Sequence, residues 1–214
     1  MKNLLILGAG GHGKVVSEIA ILSKEWESIA FLDDRKNIKN VSGISVIGEF
    51  NDYSSLINKY KYAFVAIGDN KLRSIWIERL SRAGFIIPVL VHPFSSISNS
   101  SILGAGSVVM AGAVINADAH IGKGCIINTS SSIDHDCKLS EGVHISPGVN
   151  IGGSVTIREY TWVCIGSSVI NNISIGTNVI LAAGAIVNRN VPDNVLAAGV
   201  PAKIKKQVGV FEND

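Results

Sequence analysis

Two features that would narrow the class of this 214-residue sequence are missing: a cysteine framework and an excess of one charge. Cys125, Cys137 and Cys164 show no C-x-x-C spacing and form no even set, which argues against a disulfide scaffold and for reduced thiols in a cytosolic protein. Lys plus Arg number 19 against 17 Asp plus Glu, a net charge of +2 with no basic stripe to track a phosphate backbone, so nucleic acid is not an expected partner. Residues 83–117 contain no Asp, Glu, Lys or Arg, a length that could span a bilayer, but His92, Pro93, six serines, Asn99 and Asn116 interrupt the segment. The opening MKNLLILGAG runs too briefly before its glycines for a signal peptide or membrane anchor. The expectation is a soluble cytoplasmic protein without a membrane span. Its texture changes near residue 92, so the length is expected to hold two domains.

What is present after that point is a strict period. Stepping by six from Ile97 through Leu103, Val109, Ile115 and onward to Val187 meets Ile, Leu or Val at all sixteen positions. With about a third of residues aliphatic, that would arise by chance on the order of once in ten million to a hundred million trials. Four residues further on, a second column holds small or β-branched residues, including Ala113, Ala119, Cys125 and Cys137. A period of six suits the two-residue alternation of a strand and not the 3.6 of a helix, and it is the mark of a parallel β-helix with about three hexads per coil. The aliphatic and small columns point inward, which makes Cys125 and Cys137 buried thiols. Gly104, Gly122, Gly152 and Gly176, directly after the aliphatic position, are expected at corners needing unusual φ. The period does not give the handedness.

The first 92 residues read differently. NLLIL, residues 3–7, ends in GAGGHG and leads into a helical pattern over 14–22; SIAFL precedes Asp33 and Asp34; YAFVAIG and IIPVLV are expected as third and fourth strands around a helix over 71–82. Alternating strand and helix implies a small parallel sheet. Gly8, Gly10 and Gly13 fit the dinucleotide fingerprint, in which glycines let backbone amides approach phosphate at a helix N-terminus. A dinucleotide needs two mononucleotide halves and this segment supplies one, so a single nucleotide is expected, its phosphates at residues 8–13 and its base or ribose at Asp33 or Asp34. A glycine turn that only packs helix on strand is the plain alternative. His12 sits in the turn, where a core role is not expected, and Asp69 and Asn70 follow the third strand at the same sheet edge.

GAGGHG and FLDD, AIGDN, VHP leading into hexads such as ILGAGS and SIGTNV, SSIDHDC, and finally AGVPAK together resemble the NeuD/PglD type of sugar acetyltransferase across nearly the whole chain. The resemblance implies an α/β half-Rossmann domain over 1–92, a left-handed β-helix over 93–190 and a C-terminal loop and tail over 191–214 that contacts coenzyme A. It implies a homotrimer that uses acetyl-coenzyme A, without metal, to acetylate a nucleotide-linked amino sugar, with a UDP-linked 4-amino-6-deoxy sugar as the leading acceptor. It makes His135 the general base, with Asp136 as the orienting acid. His144 becomes the histidine that meets the acetyl thioester, with Gly153, Gly166, Ala183, Gly184, Pro201 and Lys203 also on the cofactor. Gly10, Gly11, His12, Asp33, Asp34, Gly68, Asp69 and Asn70 hold the nucleotide sugar. The family often carries glutamates where this chain has Asp134 and Asp136, so which of the two reaches the imidazole is left open.

Chemically, an amine attacks a thioester only as the free base, and a histidine takes a proton near neutral pH. A carboxylate beside it fixes the tautomer, and backbone amides at a β-helix corner could stabilise the oxyanion. On the residues alone, His135 could equally be an exposed histidine in an Asp-rich corner, and His144 or His120 a solvated or trimer-facing one. His135 and His144 lie nine residues apart, about half a coil, so one chain does not bring both to one thioester and the site is expected between two subunits. Adjacent DHD residues alternate in direction and lack further ligands at metal spacing, so no zinc is expected. The competing functions are sialic acid O-acetylation, a non-catalytic trimerising scaffold, and a dehydrogenase, which would need a second nucleotide half.

Overall fold

A computed structural model of the chain describes residues 2–209. It divides into two compact units between Pro93 and Phe94. In the first, the run after Asn3 has no polar side chain, so it can lie only where both faces are covered. It forms β1 (Asn3–Leu7), followed by α1 (Gly11–Ser23), β2 (Ser28–Leu32), β3 (Asn40–Val41), β4 (Ile44–Gly48), α2 (Tyr53–Leu56), β5 (Tyr62–Val65) and α3 (Asn70–Arg82). The sheet order is β3-β4-β2-β1-β5, with β1 parallel to β2 and β5. Leu5 and Leu7 join Ala30, Leu32, Ala63 and Val65 against Trp76, Ile77 and Leu80 of α3. Leu4 and Ile6, on the other face, are equally buried. The order reverses at β1, so the glycine turn after Leu7 opens at the sheet's switch point.

The expected fourth strand is different. Of IIPVLV, only Ile86 reaches this sheet, through a single bridge to Tyr62. Pro88 has no N–H to continue such a ladder. The sheet is extended instead by the β3–β4 hairpin, which pairs antiparallel.

The second unit is wound as the hexads require. Two-residue strands recur every six residues from Ser96–Ile97 to Ile186–Val187, each pairing in parallel with the strand 18 residues on, as Val114 does with Ser132 and Ile115 with Ile133. Three ladders result, and they form a left-handed parallel β-helix. Ile115, Ile133, Ile151, Val169 and Val187 are buried, each contributing about 1.5–3 kcal/mol. The cysteines of the small column are fully buried, and the Cys125 and Cys137 thiols donate to the carbonyls of Ser140 and Gly152 at 3.1 Å. After the last coil, Val195–Ala198 extends the third ladder beside Ile180–Leu181, and Lys203–Gln207 returns antiparallel to it. Among the described residues no helix is long and apolar enough to cross a membrane.

The corner glycines have another cause than the expected one. Gly104, Gly122, Gly152 and Gly176 do not have positive φ; a Cβ on Gly122 would stand 2.6 Å from the Ser140 carbonyl carbon of the next coil, and the other three face comparable crowding. Close stacking, not backbone freedom, selects glycine there. The left-handed conformation falls two residues later, once per hexad from Gly106 to Gly184, and it is occupied by Gly, Asp, Asn, Ser and Tyr160 at φ between 55 and 75. Where the residue is not glycine this costs about 1–2 kcal/mol. Ser130, at φ 55 and exposed, tests the point. Ser130→Val is expected to lower unfolding free energy in denaturant by about 1–2 kcal/mol, while Ser130→Gly stays within about 1 kcal/mol of the parent.

Candidate active site

Between Ser132–Ile133 and Lys138–Leu139 the chain turns a corner through Asp134, His135 and Asp136. Asp136 takes the left-handed conformation, φ 59, and this carries its carboxylate back to its neighbour: Oδ2 lies 2.7 Å from His135 Nδ1. The shorter acid therefore reaches the ring. Asp134 is occupied elsewhere, its Oδ1 accepting the His135 backbone N–H at 2.8 Å and the Asn116 amide at 2.9 Å. The Asp136 hydrogen bond, and then the charge of Asp134, raise the His135 pKa above the ordinary imidazole value. With Nδ1–H donating to a carboxylate, the lone pair is left on Nε2. That atom lies over Gly153, one coil on, where a Cβ would come within 2.6 Å of both Nε2 and Cε1. Both side chains are more than half exposed. An open depression of about 380 Å³, lined by Asp118, His120, Asp136, Lys138, Ser154 and Thr156, adjoins this corner.

His144 belongs to a different ladder, the one that pairs Ile126, His144, Trp162 and Ile180. Its ring stacks on Trp162, centroids 5.9 Å apart and planes at 12°, and Trp162 Nε1–H donates to Ser146 Oγ at 2.8 Å. Asn128 Nδ2 approaches His144 Nε2 at 3.4 Å. His120 sits on the ladder of Ile102 and Lys138 instead. One chain thus presents His135 and His144 on separate parts of its perimeter. Where the His144 ladder turns into the next, Gly148, Gly166 and Gly184 stack one coil apart at φ 66 to 68, with nothing within 4 Å of any Cβ position.

In the first unit the glycine turn divides its labour. Gly8 has φ 104, and a Cβ on Gly13 would overlap the Gly8 carbonyl, so these two pack the turn. Gly11 faces open space, and Gly10 has only Arg35 Nη2 nearby, 3.6 Å from its Cβ position. Asp33 turns inward: Oδ2 accepts the Ala9 N–H and Arg35 Nη2–H, and Oδ1 accepts Arg35 Nε–H and its backbone N–H, all at 2.7–3.0 Å. These bonds, the Arg35 side chain's foremost, hold Asp33 down to about 2. Its oxygens are spent on the protein, and Arg35 instead fronts the adjoining cleft of about 560 Å³ with Lys36, Lys39, Glu49 and Asp52. Asp34 Oδ1 accepts the Phe50 N–H at 2.8 Å.

His12 is half-buried, and its Nε2 is enclosed with no hydrogen-bond partner. Burial, then the charge of Arg73, lowers its pKa to about 4, so the ring is neutral. Arg73, itself 1% exposed, donates to the carbonyls of Ile67, Gly68 and Asp69 and to Asn70 Oδ1. Asp69 caps α3 by accepting the Leu72 N–H at 2.8 Å, and nothing lies within 4 Å of the Gly68 Cβ position.

Comparison with known proteins follows the two units. Residues 3–80 match the PglD N-terminal domain. UDP-N-acetylbacillosamine N-acetyltransferase of Bacillus subtilis is 39% identical over 114 residues, which are 51% of each protein. Galactoside O-acetyltransferase of Escherichia coli is 41% identical over 56 residues, 27% of its length. The chain thus spans about half, or less, of these curated relatives. The solved structures reach further. Perosamine N-acetyltransferase of Caulobacter crescentus, in a histidine-to-asparagine mutant bound to CoA and GDP-perosamine, is 38% identical, covers 97% of this chain and 98% of its own, and superposes with a TM-score of 0.93. This chain belongs to the NeuD/PglD-type sugar acetyltransferases. The acetyltransferase domain of PglB from Neisseria gonorrhoeae, bound to acetyl coenzyme A, is likewise 40% identical over 95% of this chain and 99% of that one, with a TM-score of 0.93.

In this NeuD/PglD-type acetyltransferase, Pro201 stands exposed in the turn joining the last two strands, beside Val200, which is 75% exposed, and Lys203 is exposed at the start of the last strand. Ala183 directly precedes Gly184 of the open glycine column. Four residues escaped the sequence reading. Arg35 was hidden because a fingerprint points at the acid and not at its partner. Arg73 sits in a helical pattern that reads as a solvated face. Asn128 and Trp162 carry no motif, and only the 18-residue coil brings them beside His144.

Proposed function

We propose that this enzyme transfers acetyl from acetyl-coenzyme A to the amino group of a UDP-linked 4-amino-6-deoxy sugar, for surface polysaccharide or glycan synthesis. The observation that carries the reading is the His135–Asp136 pair, with its basic Nε2 over side-chain-free Gly153. The sugar amine attacks the thioester carbonyl carbon and a C–N bond forms. The ammonium proton passes to His135 Nε2, and Asp136 stabilises the imidazolium. The tetrahedral intermediate then expels the thiolate, which takes that proton, leaving amide and free coenzyme A. His144 meets the thioester, supplied by a neighbouring subunit of a homotrimer, and the pantetheine arm runs along the column of Gly148, Gly166 and Gly184 toward Pro201 and Lys203. Relatives named for UDP-N-acetylbacillosamine and for GDP-perosamine support a nucleotide amino sugar and leave the base to experiment.

A panel of UDP- and GDP-linked 4-amino sugars and sialic acid, assayed for free thiol release, tests this. Turnover of sialic acid with no nucleotide amino sugar accepted would overturn it. On the nucleotide side, Arg35 is the residue that meets the ligand, and Asp33 acts by holding it. Arg35→Ala is therefore expected to weaken nucleoside diphosphate binding about tenfold, the scale of a lost charge-assisted bond, with acetyl-coenzyme A affinity unchanged by calorimetry.

A further inference from the structure

We infer that Asn128 and Trp162 are positioning residues that hold His144 in one tautomer, with its proton on Nδ1 and the Nε2 lone pair turned to the Asn128 amide. The first step is the direction of the Asn128 amide. Its Oδ1 accepts the Thr129 backbone N–H at 2.8 Å, and Thr129 Oγ1 stands 3.4 Å from the same oxygen. That bond can be made only by the oxygen, so the amide cannot be turned over without leaving two donors face to face. The nitrogen that faces His144 is therefore Nδ2, which donates and cannot accept. At 3.4 Å from it, His144 Nε2 has to be the acceptor. A proton on Nε2 would point at an N–H, so both the Nε2–H tautomer and the imidazolium are disfavoured at this position.

The second step is the plane of the ring. Trp162 lies one coil further on, parallel to His144 within 12°, and its own indole is anchored through Nε1–H to Ser146 Oγ at 2.8 Å. The stack fixes the plane of the ring, and a half-turn within that plane would put Cε1–H in place of Nε2 and forfeit the Asn128 contact. Trp162 thus sets the plane and Asn128 selects the edge.

The inference rests on the proposed place of His144 at the thioester, and it gives that place a chemistry. The two imidazoles of the composite site are set oppositely. His135 has its Nδ1 proton pointed at a carboxylate, which raises its affinity for a second proton. His144 has its acceptor nitrogen already occupied by an uncharged amide. Proton transfer falls to the first, and the second serves the acyl group as a neutral, dipolar neighbour that does not compete for the amine's proton.

Nitrogen-15 NMR of the full-length protein with labelled histidine reads the tautomer directly, with the His144 signals assigned by their loss in His144→Gln. The expected spectrum at neutral pH shows a protonated Nδ1 and an unprotonated Nε2. Asn128→Asp replaces the donor by an acceptor, so Nε2 gains a proton and the acetyl-coenzyme A KM rises about tenfold, while the pH limb of kcat set by His135 stays in place. Trp162→Leu is expected to leave the wild-type tautomer less populated. A wild-type His144 protonated on Nε2, or an Asn128→Asp spectrum identical to wild type, overturns the inference. If instead His144→Gln leaves the acetyl-coenzyme A KM unchanged while the spectra are as expected, the tautomer stands and the placement of His144 on the thioester falls.

Discussion

Replacing His135 by alanine is expected to lower kcat for acetyl transfer by about a hundredfold to ten-thousandfold, the range for losing a general base, with little change in thermal unfolding, since the ring is more than half exposed. The pH profile distinguishes a base from a binding group. In the proposed role of base, His135 works in its neutral form. Its pKa is raised by the Asp136 hydrogen bond and the Asp134 charge, so the neutral form fills only above that raised value, and kcat climbs with pH on the alkaline side of the ordinary imidazole range. In Asp136→Asn the raising bond is gone, and the limb moves to lower pH. The plateau falls as well, because an amide no longer requires the proton on Nδ1. Asparagine is the informative substitution, since it tolerates the left-handed backbone at φ 59 and so removes the charge without unwinding the corner. A limb that stays fixed in Asp136→Asn would show that another group sets it.

Much of this architecture was legible because a six-residue period leaves little freedom. Sixteen aliphatic positions fix which side chains point inward, and each coil then stacks on the one before it. The repeat could not say why particular corners carry glycine. Gly122 answers to the backbone of the next coil, 18 residues away, while the left-handed turn falls two residues later on Gly124. Both demands are three-dimensional, and a single sequence shows only that glycine is present. The same limit holds at the sites. His135 and Asp136 are neighbours in sequence, so their pairing could be anticipated and only the reach of the shorter acid was open. His144, Asn128 and Trp162 are joined across the coil, and nothing local announces them. Asp33 is the converse case: its position after β2 fits the fingerprint, while the inward turn of its side chain to the Ala9 N–H and its clamp on Arg35 could be read only from the structure. Pro88 was visible in the sequence throughout, and its missing N–H was a signal against the fourth strand.

Gly153→Ala is the second large effect. Gly153 is not in the left-handed region, so its backbone accepts alanine; the three atoms nearest its Cβ position all belong to the His135 ring. A methyl group there would sit 2.6 Å from Nε2 and Cε1 of His135. The backbone cannot yield easily, because Ser154 N–H donates to the His135 carbonyl at 2.8 Å and Asn172 N–H to the Gly153 carbonyl at 2.9 Å, both rungs between coils. The imidazole has open solvent to move into, and it moves. Swinging away, it loses the 2.7 Å bond to Asp136 and with it the fixed tautomer. The expected result is a fall in kcat of about tenfold to a hundredfold, an unfolding midpoint close to the parent, and a pH limb displaced downward as in Asp136→Asn. Acting through one residue also predicts non-additivity. Adding Gly153→Ala to His135→Ala should cost nothing further, because the group it displaces is gone. If the double variant loses the full product of the two single effects, or if the single variant raises the acetyl-coenzyme A KM with kcat intact, then Gly153 serves the cofactor directly and the seat under the imidazole is incidental.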